Sequence, residues 1–165
     1  MYSKLMVPLD GSQLSECSLE HMKAIAIGCH VPEVVLLRVV EPLSSNEIAA
    51  LSQIGGAPIA ELEATKKTEA TDYITNMVQK LIKEGVSARG EVVNGKAVDE
   101  ILDYAEKNNF SLIIISTHGR SGISRWAFGS VADKVVRHSV IPVLMVTPTG
   151  CRINMDNRTF PQGKV

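Results

Sequence analysis

Leu112-Ile-Ile-Ile-Ser116-Thr-His-Gly119-Arg-Ser-Gly-Ile-Ser-Arg-Trp-Ala-Phe-Gly129-Ser130 is the stretch on which the reading of this chain turns. It starts as an apolar run of strand length, passes through a glycine-bearing loop and enters a helix at Gly129-Ser130. A junction of this kind leaves the first backbone N–H groups of the helix without intrahelical partners, and an anion can sit on them. Glycine lacks a Cβ, so the main chain can come close to a ligand. The stretch predicts a small domain that holds a phosphate-bearing nucleotide.

On either side, short apolar runs alternate with longer amphipathic ones. Residues 4–9 read as a first strand, closed by Pro8 and the turn pair Asp10-Gly11. Residues 12–28 follow as a helix, with Ser12 as its N-cap and Gly28 near its stop. The β-branched run Val34–Val40 is a second strand. Residues 41–60, broken by Pro42, Gly55, Gly56 and Pro58, read as a long excursion with one short helical piece. Ala70, Tyr73, Ile74, Met77, Val78 and Leu81 recur at helical spacing within a long helix over 59–84. A strand over 86–93, a helix over 96–107, the strand Leu112–Ser116, a helix over 130–139 and a strand over 142–146 complete the pattern. Residues 149–165 are polar and aperiodic and are expected to trail as a disordered tail. Five strands separated by helices predict an α/β domain with a mainly parallel, open sheet covered on both faces. Ligands of such sheets bind beyond the strands' C-terminal ends, where the winding reverses, which directs attention to the loops after strands one, two and four.

Composition narrows the function classes. The 165 residues suit one domain with a full core. A formal charge of −1 gives no electrostatic reason to expect nucleic acid. No apolar run reaches the roughly 20 residues of a membrane span, and the N-terminal residues lack the apolar core of a secretory signal. Cys17, Cys29 and Cys151 are odd in number and lack C-x-x-C spacing, so neither a disulfide framework nor a zinc site is expected. A reduced cytoplasm is the expected home.

Several residues have two readings. The Asp10 carboxylate could accept from a ribose hydroxyl or an adenine amino group; it could equally form an Asx turn before the first helix. Gly119, Gly129 and Ser130 form the phosphate candidate, with Arg120 and Arg125 adding positive charge. Ser130-Val-Ala-Asp133 also reads as a capping box, and a phosphate could replace or join that cap. Gly90-Glu-Val-Val-Asn-Gly95-Lys96-Ala97 approaches a P-loop pattern, but Ala97 stands where Ser or Thr must bind Mg²⁺ and residues 91–93 belong to a strand. The match is a coincidence, with Gly95 as a turn and Lys96 solvated. His118 is the histidine near the candidate site, and no acid or cysteine stands beside it at ligand spacing, so no metal site is expected. No nucleophile with an adjacent base can be named, and no catalytic residue is assigned. Cys17 reads as core packing, and Trp126 and Phe128 as anchors of the last helix.

With these residues in view, the chain resembles the universal stress protein family over roughly residues 2–147. The family's signature is Gly, two residues, Gly, nine residues, Gly, then Ser or Thr; here it reads Ser116-Thr-His-Gly119, nine residues, Gly129-Ser130. Ser116 replaces the first glycine. Val7-Pro-Leu-Asp10-Gly-Ser resembles the family's first strand and acidic turn. The resemblance implies a Rossmann-like sheet in the order 3-2-1-4-5, of the adenine nucleotide alpha hydrolase-like type, over residues 1–148. It implies ATP, with or without Mg²⁺, as the ligand. Asp10 and the main chain at Val39 would address adenine and ribose, Ile115 and Ser116 would line the nucleotide, and Gly119, Arg120, Gly129, Ser130 and Val131 would surround the phosphates. It further implies a homodimer joined through the edge strand at Val143–Val146 and a client protein. The expected function is an ATP-binding, dimeric module of stress response or signalling, with residues 41–60 as a lid. The alternatives are a slow ATPase or nucleotide-dependent enzyme, and a nucleotide-free interaction domain of the same family. A response-regulator receiver fails, because strand three ends in Asn94-Gly95 rather than in a phospho-accepting Asp.

Overall fold

Side chains of a strand alternate between the two faces of its sheet, so a strand apolar throughout belongs between two helical layers. The computed structural model describes residues 2–53, 59–117 and 129–147. Its elements are β1 (Leu5–Pro8), α1 (Gln13–Gly28), β2 (Val34–Val40), α2 (Ser45–Gln53), α3 (Ile59–Lys83), β3 (Ala88–Asn94), α4 (Ala97–Lys107), β4 (Leu112–Ser116), α5 (Ser130–His138) and β5 (Val143–Val146). The strands form one sheet in the order β3-β2-β1-β4-β5, and every neighbouring pair is parallel. Order and class match the expectation.

The alternation is visible residue by residue. Leu5, Val7, Val34, Leu36, Leu112 and Ile114 pack on one side against Leu19 and Met22 of α1 and Ile74 and Leu81 of α3. Met6, Val35, Leu37, Ile113 and Ile115 pack on the other against Ile101 and Ala105 of α4 and Ala132 and Val135 of α5. α3 comes so close to β3 that a Cβ built on Gly90 would overlap Cγ2 of Ile74.

Element ends differ from the sequence reading by one or two residues, and two of the strand starts have a visible local reason. β3 starts at Ala88 rather than 86, because Gly85 (φ +85°) stops α3 and the Val86 N–H turns back to the Leu81 carbonyl at 3.0 Å. β5 starts at Val143, since Pro142 has no N–H and joins the ladder only through its carbonyl, which accepts from Ile113 N–H at 2.9 Å. The short helical piece of the excursion is α2, opened by a capping box in which Ser44 N–H and Oγ–H both donate to Glu47 Oε2, at 2.8 and 2.6 Å.

Cys17 packs against the core of the α1 side, as expected; it is also disulfide-bonded, whereas Cys29 is free. An odd cysteine count excludes full pairing and does not exclude one bridge. Among the described residues no helix is long and apolar enough to cross a membrane. The expected tail at 149–165 lies outside them.

Candidate functional site

The winding reverses between β1 and β4, which lie side by side although α1 to α4 separate them in the chain. Two crossovers leave this point in opposite directions, and a cleft opens beyond the strand ends. Its volume is about 250 Å³. Leu37, Val39, Ile101 and Ile115 line it, and Asp10 and the start of α5 stand in its wall.

Asp10 follows β1 directly. Its Oδ1 accepts from Ser12 N–H at 2.9 Å and from Ser12 Oγ–H at 2.6 Å, so the Asx turn is formed. Ser12 in turn accepts from Ser15 N–H at 3.2 Å and caps α1. Gly11 makes the turn possible at φ +81°, a conformation costly to a residue with a Cβ. The local reading of Asp10 is thus realised, and the same carboxylate lines the cleft.

The phosphate candidate needs one correction. The expected Ser130–Asp133 capping box does not form: Gly129 is the N-cap of α5, and it offers no side-chain bond. The frame has moved by one residue, because Gly129 takes the extended cap conformation (ψ 140°) and Ser130 becomes the first helical residue. Asp133 is held instead by Arg137 at 2.9 Å, and the adjacent guanidinium keeps its carboxyl below the usual range. The first intrahelical bond runs from Asp133 N–H to the Gly129 carbonyl at 3.0 Å. The N–H groups of Ser130, Val131 and Ala132 therefore precede the helical ladder, and all three residues line the cleft. Thr117 continues the sheet, donating its N–H to Val146 at 2.8 Å, and its carbonyl accepts from Gly129 N–H. That bond fixes the start of α5 to the end of β4.

Seven of the nine expected site residues meet in this cleft: Asp10, Val39, Ile115, Ser116, Gly129, Ser130 and Val131. Gly119 and Arg120, with His118, Arg125, Trp126 and Phe128, lie outside the described residues. The sequence reading missed Arg38, Thr117, Ala97 and Ile101, which also line the cleft. Arg38 carried a signal, as the lone charge in Val34–Val40; its Nη1 donates to the Leu9 carbonyl at 3.3 Å. Ala97 and Ile101 carried none, because only the crossing of α4 over the sheet brings them here.

The cleft continues outward over β2 toward α3, where Lys66, Glu69 and Tyr73 line it together with Arg38. Tyr73 donates to Glu16 Oε1 at 3.0 Å, and burial together with that carboxylate pushes its phenol well above the usual range. It stays a neutral donor that ties α3 to α1. Among the described residues no group of three His, Cys, Asp or Glu is placed to hold a metal ion. Lys96 is exposed at the N-cap of α4 and Gly95 makes the preceding turn (φ +151°), as expected for a P-loop coincidence.

Comparison with known proteins agrees with this geometry. The model of the universal stress protein family matches residues 1–147. One relative, a universal stress protein of Methanocaldococcus jannaschii, is 31% identical over 146 residues, covering 88% of this chain and 82% of the relative. A second protein of that organism is 29% identical over 155 residues, covering 88% of this chain and 95% of its own. Its solved structure superposes with a TM-score of 0.74 at 30% identity, over 89% of this chain and 96% of the other. Two more distant structures share the fold. One is a universal stress protein in complex with cAMP (TM-score 0.57, 21% identity, 89% of this chain and 98% of the other). The other, from Arabidopsis thaliana, has AMP bound (TM-score 0.58, 16% identity, 88% and 91%). The chain belongs to the universal stress protein family.

Proposed function

We propose that this protein binds an adenine nucleotide, ATP in the first instance, and acts as a dimeric module of stress response or signalling. One observation carries the reading: an apolar cleft at the reversal of the sheet ends on a helix start whose N-cap is a glycine without a side-chain bond. Val39, Ile115 and Ile101 would sandwich the base, with the main chain of Val39 at its edge. Asp10 would accept from ribose. Gly129, Ser130 and Val131, with Gly119 and Arg120 of the loop, would hold phosphates. Ser116 is buried in the wall at 6% exposure, so the base must fit beside it. Any Mg²⁺ would enter on the phosphates, neutralising their charge, since no acidic triad is available among the described residues. Two distant relatives of the same fold are described with AMP and with cAMP bound, which supports an adenine nucleotide as the ligand class.

β5 lies at the sheet edge with Val143, Leu144 and Met145 half-buried, and pairing with a second copy would close it. In this reading residues 1–148 are the working domain, 149–165 a tail, 41–60 a lid, and a client protein receives the signal. Cytoplasmic residence belongs to the same reading; the disulfide at Cys17 is the feature that pulls against a reducing compartment. Calorimetry with Mg-ATP tests the core of it. Wild type is expected to bind, and Gly129→Ile to lose binding with an unchanged unfolding midpoint. No heat and no thermal shift in the wild type overturns it, and retained binding in Gly129→Ile moves the phosphates elsewhere.

A further inference from the structure

The cleft does not end at α5. Ala97, Ser130 and Val131 are shared with a second groove of about 690 Å³ between the starts of α4 and α5. Lys96, Lys134 and His138 line that groove, the last two one helical turn apart on α5. Its acids are Glu41 and Asp99. Glu41 is already engaged: its Oε1 accepts from Ala97 N–H at 3.0 Å and so satisfies the start of α4. Among the described residues Lys96 and Lys134 have no hydrogen-bond or ion-pair partner, in contrast to Lys107 and Arg137, which close i,i+4 pairs with Asp103 and Asp133 on the same two helices. Here unpaired cations converge on a concave surface that begins at the unladdered amides of Ser130 and Val131.

We propose that this groove is a distal anion subsite, which takes the outer phosphoryl groups of a polyphosphate whose inner ones lie at the start of α5. The ligand class it favours is a nucleotide with a long phosphate chain, such as a nucleoside tetraphosphate or a dinucleoside polyphosphate, over a monophosphate. The base contacts rest on the nucleotide reading above; the anion contacts of Lys96 and Lys134 do not.

The test is calorimetry on the full chain at low salt with AMP, ATP, adenosine tetraphosphate and inorganic tripolyphosphate, comparing wild type with Lys96→Ala/Lys134→Ala. Both positions are exposed, so equal unfolding midpoints are expected. Affinity is expected to rise along the nucleotide series by about tenfold, the scale of two exposed charge contacts. The double variant should flatten that rise, leave AMP unchanged and weaken tripolyphosphate. Equal weakening of AMP and tetraphosphate, or no weakening of either, overturns the subsite. If nucleotides fail to bind while tripolyphosphate binds through the two lysines, the nucleotide reading falls and the subsite stands. If tripolyphosphate also fails to bind, the subsite falls with it.

Discussion

Asp10 is where the structural and functional roles of one side chain can be separated. Its Oδ1 accepts two hydrogen bonds from Ser12, at 2.9 and 2.6 Å, and Ser12 caps α1. Hydrogen bonds to a charged group contribute about 1.5–3 kcal/mol each when buried; with Asp10 half-buried, we take roughly 2 kcal/mol for the pair. Asp10→Ala should therefore lower the unfolding midpoint by about 4–8 °C for a domain of this size. Asp10→Asn keeps a carbonyl oxygen for the Ser12 N–H and loses only the charge assistance, a cost of about 0.5–1 kcal/mol. The amide's other end is a donor, so it cannot accept from a ribose hydroxyl as a second carboxylate oxygen can. Asn should consequently bind ATP about tenfold or more weakly, one lost charge-assisted bond, while remaining folded. Thermal unfolding by circular dichroism, paired with calorimetric titration, reads both effects. Wild-type affinity in Asp10→Asn would refute the ligand role and leave Asp10 a turn residue only.

Three further outcomes follow from packing and charge. Gly90→Ala forces a methyl onto Ile74, a branched and buried neighbour, and should cost about 1–3 kcal/mol by chemical denaturation; an unchanged midpoint would mean that α3 slides freely on β3. Glu33 accepts from Arg89 Nε at 2.6 Å and lies 3.4 Å from Lys4, and Arg89 above all holds its carboxyl below the ordinary 4.5. Its contribution is present above that value and is lost as pH falls through the lowered folded-state value. The gap between wild type and Glu33→Gln, below about 1 kcal/mol at neutral pH for so exposed a pair, should close as the solution is acidified to the point where Glu33 is protonated. A gap that widens on acidification contradicts the pairing. Glu47→Ala removes the capping box of α2 and should cost that helix about 0.5–1 kcal/mol, read as faster amide exchange over Ser45–Gln53 with the core unaffected.

The fold was legible because periodicity and composition agreed. β2 and β4 are runs of apolar, mostly β-branched residues that no helix of similar length would favour, and their bounds match the sequence reading residue for residue. Strand order was not legible from periodicity, since nothing in Leu112–Ser116 says that it lies beside Leu5–Pro8; it came through family resemblance. The site divided along the same line. Asp10, Gly129 and Ser130 stand at element ends, where loop chemistry marks them. Ala97 and Ile101 enter only because α4 crosses back over β2, a fact of tertiary packing. The misplaced cap at Ser130 shows the limit of a motif: Ser-x-x-Asp satisfies the pattern, yet a preceding glycine in extended conformation takes the cap position, and the two readings differ by one residue.

That one residue has a consequence for the site. Had Ser130 capped α5, its hydroxyl would have satisfied an N–H of the first turn, and an incoming anion would have had to displace it. With Gly129 at the cap, the cap residue has no side chain to displace, and Asp133 is drawn to Arg137 rather than back toward the helix start. At the start of α4, the same problem is solved the other way: Glu41 supplies the carboxylate, to Ala97 N–H. Two helix starts therefore face one cleft, one satisfied by the protein's own acid and the other by no side chain among the described residues. The asymmetry gives direction to any bound polyphosphate, which would be attracted to α5, repelled by Glu41, and led outward past Ser130 and Val131 toward Lys134. Glu41→Gln should accordingly strengthen tripolyphosphate binding, because the amide oxygen still accepts from Ala97 while the repelling charge is gone; weaker binding in that variant would place the anion path on the other side of α5.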